Sequence, residues 1–403
     1  MAYNGIIIVV ALLVASVAAN PVQSIENKLK HPDVGLRVPQ LVTKYGYPIE
    51  SHIVETKDGY LLTVHRIPHG KNNADQKNKP VVFLMHGLLC SSADWVLMGP
   101  EKGLAYILAD LGYDVWMGNA RGNTYSRSNV NLSPTGKDFW KFSWHQIGII
   151  DLPTMIDLVL EKSGAEKIFY VGHSQGTTSF FVMASTLPEY NDKIRLMVAL
   201  APVAFMDNIP NTALRLIAKF HNTIGWISDM IGAYEFLPST KFMQLIGQLL
   251  CNDNSLVQDM CSNILFLIAG YDSEQLNSTM IPVILSNTPA GSSTMQILHF
   301  AQGITSGDFK QYDFGASENR KIYGRDEPPA YDLRQITARV VMYYGANDLL
   351  TSETDVSHLH KRLSKSILKY RVRHDLFSHL DFLWSNDVVP LLYKKVIDMM
   401  KRY

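Results

Sequence analysis

The segment Val171-Gly172-His173-Ser174-Gln175-Gly176 restricts this chain more than any other. Residues 167–171 before it, Lys-Ile-Phe-Tyr-Val, are short, apolar and rich in β-formers, as a buried strand should be. Residues 177–187 after it contain no Gly or Pro and are apolar enough for a buried helix. A strand turning sharply into a helix around a central serine is a nucleophile elbow. The turn forces the serine into a strained conformation, and Gly172 and Gly176 let strand and helix approach closely. The helix N-terminus then lies under a developing oxyanion. Gly-x-Ser-x-Gly also arises by chance, so the flanking strand and helix are what give this copy its weight.

The rest of the chain alternates in the same way. Residues 52–56 and 60–67 read as an antiparallel pair around Lys57-Asp58-Gly59. Residues 81–85 read as a buried strand, 103–111 as a helix, 114–117 as a strand and 151–162 as a helix. Further strands are expected at 194–200, 339–344 and 367–372. Strands alternating with helices indicate a mostly parallel sheet covered on both faces. The fold class expected is α/β, an α/β-hydrolase with a mostly parallel central sheet, helices on both faces and an inserted, mainly helical cap. The chain has 403 residues, 47% of them hydrophobic, enough for one large core with an insertion. Lys and Arg number 37 and Asp and Glu 37, a balance that gives no reason to expect nucleic acid as a partner.

Between residues 203 and 331 the alternation stops and the pattern turns helical. Phe242, Met243, Leu245, Ile246, Leu249 and Leu250 make a broad apolar face beside Lys241, Gln244 and Gln248. Residues 214–231 are similarly apolar and include Trp226. This stretch is expected to be a cap over the carboxyl edge of the sheet, where α/β proteins bind ligands. Residues 241–250 are either a lid that shows its apolar face to lipid or an ordinary buried helix. The expected domains are a signal peptide at 1–19, the core at 20–202 and 332–403, and the cap with its lid at 203–331.

Residues 6–17 are apolar and run into Val17-Ala18-Ala19, small residues suited to signal-peptidase cleavage before Asn20. The run is short for a bilayer span, which takes ~20 apolar residues, and an uncleaved anchor is the alternative reading. A secreted protein without an integral span is expected after cleavage, with the lysosome as the alternative destination. Residues 20–40, polar and punctuated by proline, read as an arm over the surface. Asn131-Leu132-Ser133 and Asn277-Ser278-Thr279 are glycosylation sequons. An oxidising compartment would allow Cys251 and Cys261 to bridge, leaving Cys90 unpaired; the alternative is three free thiols.

Three further positions complete a hydrolytic site. His86-Gly87-Leu88-Leu89 follows a strand, where such folds place one oxyanion amide; the residue after the nucleophile gives the other. The donors expected are the backbone N–H groups of Leu88 and Gln175. Asp348, just past the 339–344 strand, is the expected acid, ahead of Asp355 and Asp375. His379 follows the last strand on a loop long enough to reach Ser174 and is preferred to His374. His173 is read as structural, and Arg121 as a charge that ties down the 119–123 loop, with substrate binding as the alternative. The remaining histidines show no metal-ligand spacing, so neither a metal nor a cofactor is expected.

The chain resembles the acid lipase family of animals, which includes gastric lipases and lysosomal acid lipase. The resemblance rests on His86-Gly87-Leu88-Leu89, Asn119-Ala120-Arg121-Gly122-Asn123-Thr124, Asp138-Phe139-Trp140 with Phe142-Ser143, Asp151-Leu152-Pro153, Gly172-His173-Ser174-Gln175-Gly176-Thr177-Thr178 and His379-Leu380-Asp381-Phe382. It implies Ser174 as nucleophile, Asp348 and His379 as its partners, Leu88 and Gln175 as oxyanion donors, a Cys251–Cys261 disulfide, and no metal or colipase. It also implies a lipid ester substrate, triacylglycerol or cholesteryl ester, met at a lipid–water interface. A carboxylesterase for soluble esters and a non-catalytic lipid-binding protein are the competing readings.

Overall fold

The computed structural model describes residues 31–237, 269–270 and 272–403. Eight strands build one sheet: β1 (Glu50–Glu55), β2 (Leu61–Ile67), β3 (Val81–Met85), β4 (Asp114–Met117), β5 (Ile168–His173), β6 (Ile194–Leu200), β7 (Val340–Tyr344) and β8 (Ser366–Arg371). Their spatial order is β1-β2-β4-β3-β5-β6-β7-β8. β1 and β2 pair antiparallel, as do β2 and β4. Every other neighbouring pair is parallel.

The chain winds from β3 to β4 on one side, then crosses to β5 on the other. The order therefore reverses at β3, which opens a crevice between the carboxyl ends of β3 and β5. His86 follows β3, and Ser174 follows β5.

Helices cover both faces: α1 (Val38–Lys44), α2 (Leu104–Asp110), α3 (Leu152–Ser163), α4 (Gln175–Thr186), α5 (Thr212–Ala218), α6 (His221–Ile231), α7 (Ile281–Asn287), α8 (Thr294–Ser306), α9 (Ala316–Tyr323), α10 (Glu353–Arg362) and α11 (Lys394–Met400). Side chains alternate across a strand, so each strand feeds two cores. Val82, Leu84, Val115, Phe169, Val171 and Val198 pack with α1, α2 and α11. Phe83, Met85, Trp116, Tyr170, Met197 and Met342 pack with α3, α4 and α10. Burial on both faces is why these strands read as continuous apolar runs rather than alternating ones.

The structure departs from expectation in three places. Residues 31–40 are not wholly a surface arm: Val38 and Asp33 are fully buried, and Lys44 and Tyr45 both donate to the Asp33 carboxylate. Pro39, read as loop punctuation, instead sits in the first turn of α1, where a missing N–H costs nothing. The helix after the serine begins at Gln175 rather than at residue 177. Glu235–Phe236 pairs antiparallel with Ser292–Ser293 inside the stretch expected to hold no buried strand; Ser292 and Ser293 are buried but carry no apolar signal.

Helices α5 and α6 carry large apolar side chains into solvent, with Trp226 63% and Ile231 72% exposed. Helix α8 does the reverse and buries the polar Gln296, His299 and Gln302. Residues 1–19, the 241–250 segment, Cys251 and Cys261 lie outside the described residues. Among the described residues no helix is long and apolar enough to cross a membrane.

Candidate active site

The elbow is built from close backbone contact. Ser174, between β5 and α4, has φ 50 and ψ −120, a strained region for a residue with a Cβ, costing roughly 1–3 kcal/mol. Glycines make the turn possible. A Cβ at Gly172 would stand 2.9 Å from the Gly176 carbonyl carbon and oxygen, and one at Gly176 would stand 2.3 Å from the Met85 carbonyl oxygen. The Ser174 N–H donates to the Leu200 carbonyl at 3.0 Å, fixing the elbow to β6.

The loop after β3 closes on the serine. A Cβ at Gly87 would lie 3.2 Å from Ser174 Cβ and 3.3 Å from His173 Nδ1. His86 holds this loop: its Nδ1–H donates to the Gly87 carbonyl at 2.7 Å, and its Nε2 accepts the Ala120 N–H at 3.1 Å. That pattern needs a neutral ring, and burial pushes the His86 pKa down to about 4. Leu89 adopts a positive φ of 62, and its carbonyl accepts the Ala290 N–H at 2.6 Å. No hydrogen bond is made by the Leu88 or Gln175 backbone N–H among the described residues. Below the loop, burial pushes the Cys90 thiol up, which keeps it neutral and a poor nucleophile.

On the other side, Asp348 and His379 meet. His379 Nδ1 lies 2.8 Å from Asp348 Oδ2, and both side chains are buried. Asp348 is saturated: Oδ1 accepts from Leu350 N–H at 2.8 Å and Thr351 N–H at 2.9 Å, and Oδ2 accepts from Thr351 Oγ1 at 2.5 Å. With Nδ1 committed as donor, His379 Nε2 is left as an acceptor. His379 N–H donates to the Ala269 carbonyl at 3.1 Å. The Ser174 hydroxyl makes no hydrogen bond to this imidazole among the described residues, and such contacts are often long before substrate binds. What connects the two is His173, next to the serine, whose Nε2–H donates to the His379 carbonyl at 3.1 Å. Burial holds the His173 pKa well below the usual histidine range, so this strap stays uncharged.

The other candidates fall elsewhere. His374 Nε2 lies 2.6 Å from Asp272 Oδ2, away from Asp348. Asp355 accepts from Asn208, and Asp375 pairs with Arg371 at the surface. Arg121 ties its loop down as expected, donating to Asp58 at 2.6 Å and to Asp151 at 2.7 Å. Asn131 is exposed, and Asn277 is partly exposed. Cys90 is a buried free thiol. No cluster of metal-ligating side chains occurs among the described residues.

Sequence reasoning missed three supports. Gln175 Nε2 donates to Gln296 Oε1 on α8 at 2.7 Å, which links the elbow to the helical region. Asp272 and Asp381 lie under the His379 turn. Gln296 and Asp272 meet Gln175 and His374 across 121 and 102 residues, so no local pattern announces those contacts; Asp381 alone stood in a quoted motif.

Comparison with known proteins agrees with this geometry. Residues 38–99 match the family described as a partial alpha/beta-hydrolase lipase region, and residues 80–238 match the alpha/beta hydrolase fold. Lipase 3 of Drosophila melanogaster is 47% identical over 358 residues, 89% of this chain and 91% of that protein. Gastric triacylglycerol lipase of Rattus norvegicus is 40% identical, covering 92% of this chain and 93% of that protein. Human lysosomal acid lipase/cholesteryl ester hydrolase is 37% identical, covering 92% of each. A putative lipase from Sulfolobus solfataricus shares the fold at 13% identity, with a TM-score of 0.58 over 88% of this chain and 93% of that one. With strands, elbow and relatives in agreement, the chain belongs to the acid lipase family, carboxylic ester hydrolases built on the α/β-hydrolase fold.

Proposed function

We propose that this protein hydrolyses lipid esters, triacylglycerols or cholesteryl esters, through an acyl-enzyme on Ser174. The observation that carries the reading is the buried Asp348–His379 hydrogen bond, held by His173 next to a strained serine. His379 Nε2 takes the hydroxyl proton as Ser174 Oγ attacks the ester carbonyl, then passes it to the leaving alcohol. Asp348 fixes the imidazole tautomer and stabilises the imidazolium. The Leu88 and Gln175 amides receive the oxyanion; losing one such donor typically costs ~3 kcal/mol. Water, activated by the same imidazole, then hydrolyses the acyl-enzyme. No step calls for a metal or an organic cofactor.

The lipid substrate is supported by the relatives' names, a triacylglycerol lipase and a cholesteryl ester hydrolase, and by the exposed apolar faces of α5 and α6. In this reading residues 203–331 form the cap of a two-part core, and the protein enters the secretory pathway after cleavage at 1–19. Asn131 and Asn277 are its glycosylation sites, Cys251 and Cys261 its disulfide, and no colipase is needed. Ser174→Ala should leave a protein that folds normally and has lost at least ~1000-fold of its esterase activity. On a short-chain ester the wild-type rate should jump when droplets form. Near-normal turnover by Ser174→Ala would refute the nucleophile, and saturation below the solubility limit would favour a soluble-ester carboxylesterase.

A further inference from the structure

The residue just before the serine stands between the two halves of the candidate site. His173 ends β5, a central strand hydrogen-bonded to β3 on one side and to β6 on the other. A side chain carried by such a strand is placed more precisely than one on a loop. The ring is buried. A Cβ at Gly87 would lie 3.3 Å from its Nδ1, so one edge of the ring faces the oxyanion loop. The other edge faces the base. Nε2 lies 3.1 Å from the His379 carbonyl oxygen, and the two imidazole centroids are 4.9 Å apart.

These contacts fix the tautomer. A carbonyl only accepts, so the ring proton sits on Nε2. Nδ1 is buried and meets no hydrogen-bond partner among the described residues. A second proton there would be a buried donor without an acceptor. It would also charge the ring next to an imidazole that must itself become an imidazolium in the reaction. Burial acts in the same direction and holds the His173 pKa well below the usual histidine range. A lysine or arginine could donate to the same carbonyl, but only by bringing the charge that this place excludes.

The His379 main chain is gripped on both sides. Its N–H donates to the Ala269 carbonyl at 3.1 Å, and its carbonyl accepts from His173. With the main chain held, the imidazole can turn only about its own side-chain bonds, and Asp348 at 2.8 Å restrains those. Ala269 and Asp348 set the base against neighbouring loops. His173 sets it against the strand that carries Ser174.

We propose that His173 is a positioning residue, whose neutral imidazole, donating through Nε2, holds the His379 base in register with the Ser174 nucleophile. The inference rests on reading Ser174 and His379 as nucleophile and general base. It differs from a purely structural histidine in where its loss is felt: a structural ring supports stability, and a positioning ring supports kcat.

The test takes three substitutions in the full chain, with kcat and KM measured on a soluble short-chain ester. His173→Leu fills the space but cannot donate. Its kcat should fall roughly 10- to 100-fold, as expected for a base misplaced by about 1 Å, with KM little changed. A Gln side chain carries its NH2 about as far as Nε2, and an Asn side chain only about as far as Nδ1. His173→Gln should therefore recover most of the lost kcat, and His173→Asn should stay as slow as His173→Leu. A structural ring gives another pattern, in which all three variants lower the unfolding midpoint and keep the wild-type kcat. That pattern overturns the proposal, and so does a folded His173→Gln no faster than His173→Asn. If His173→Leu does not fold, the comparison of Gln with Asn decides alone. If none of the three folds, the ring is structural and the proposal falls. Fluorophosphonate labelling separates this inference from the reading beneath it. Labelling of Ser174 that slows in His379→Ala but not in His173→Leu removes only the positioning role. Labelling elsewhere, or an unchanged rate in His379→Ala, removes the general base as well.

Discussion

Two structures converge on Ser174, and they are held by different forces. On the oxyanion side the restraints are steric and uncharged. Gly172 and Gly176 leave no room for a side chain, Gly87 leaves little, and His86 and His173 act as neutral rings. On the base side the restraints include carboxyl groups: Asp348 on the imidazole, and Asp381 under the turn. The oxyanion side should therefore be intolerant of added volume and indifferent to pH. The base side should accept an isosteric change in shape but not a change in charge or proton count.

The largest effect expected is on the base side. Asp348→Asn keeps the volume but offers His379 an amide, which favours the wrong tautomer. A drop of about 10⁴-fold in kcat with an unchanged unfolding midpoint is expected, and loss of less than tenfold would break the contrast. Next comes Gly176→Ala. Its Cβ would meet the Met85 carbonyl oxygen at 2.3 Å, a backbone atom that cannot swing away. Overpacking of this kind typically costs ~1–3 kcal/mol. A lowered thermal midpoint is therefore expected, with activity loss equal at every pH. A loss confined to one end of the pH range would show that the elbow is charge-sensitive after all.

The smallest effect separates stability from catalysis. Burial pushes His65, His86 and His145 down to about 4 and His299 to about 3. Their folded pKa values lie below the unfolded value of ~6.5. The stability they permit is thus complete above ~6.5 and is lost as pH falls toward 4. Asp94 and Asp381, both raised to about 7, have the opposite sign: full stability below ~4, lost as pH rises through about 7. With His173 also lowered and Asp151 and Asp355 also raised, five imidazoles outnumber four carboxyls. Thermal unfolding should therefore show a lower midpoint at pH ~4.5 than at ~6.5. An unchanged or higher midpoint in acid would mean that groups outside this set dominate.

The oxyanion side was more legible in the sequence than the base side, for a physical reason. Strand ends adjacent in a parallel sheet announce themselves as apolar runs followed by Gly-rich turns, so His86-Gly87-Leu88 and Gly172–Gly176 could be read directly. Asp348 and His379, whose side chains meet at 2.8 Å, were proposed in the same way, each past a strand end. Their supports were not. Asp272 meets His374 across 102 residues, and its local hydrogen bond, from the Gln275 N–H, leaves no pattern in the sequence. Gln296 looks like one polar residue on an ordinary helix until Gln175 is seen bonded to it across 121 residues. Buried polar contacts of this kind carry no periodicity, because a single hydrogen bond, and not a packed face, selects the residue.

The most direct test of the central claim, that Asp348 and His379 serve Ser174, is a rate. The purified protein would be treated with a fluorophosphonate, the modified peptide mapped, and the labelling rate compared with that of His379→Ala. Modification at Ser174 alone, slowed by orders of magnitude in His379→Ala, is the expected result. Modification at another residue, or an unchanged rate without the imidazole, would contradict it.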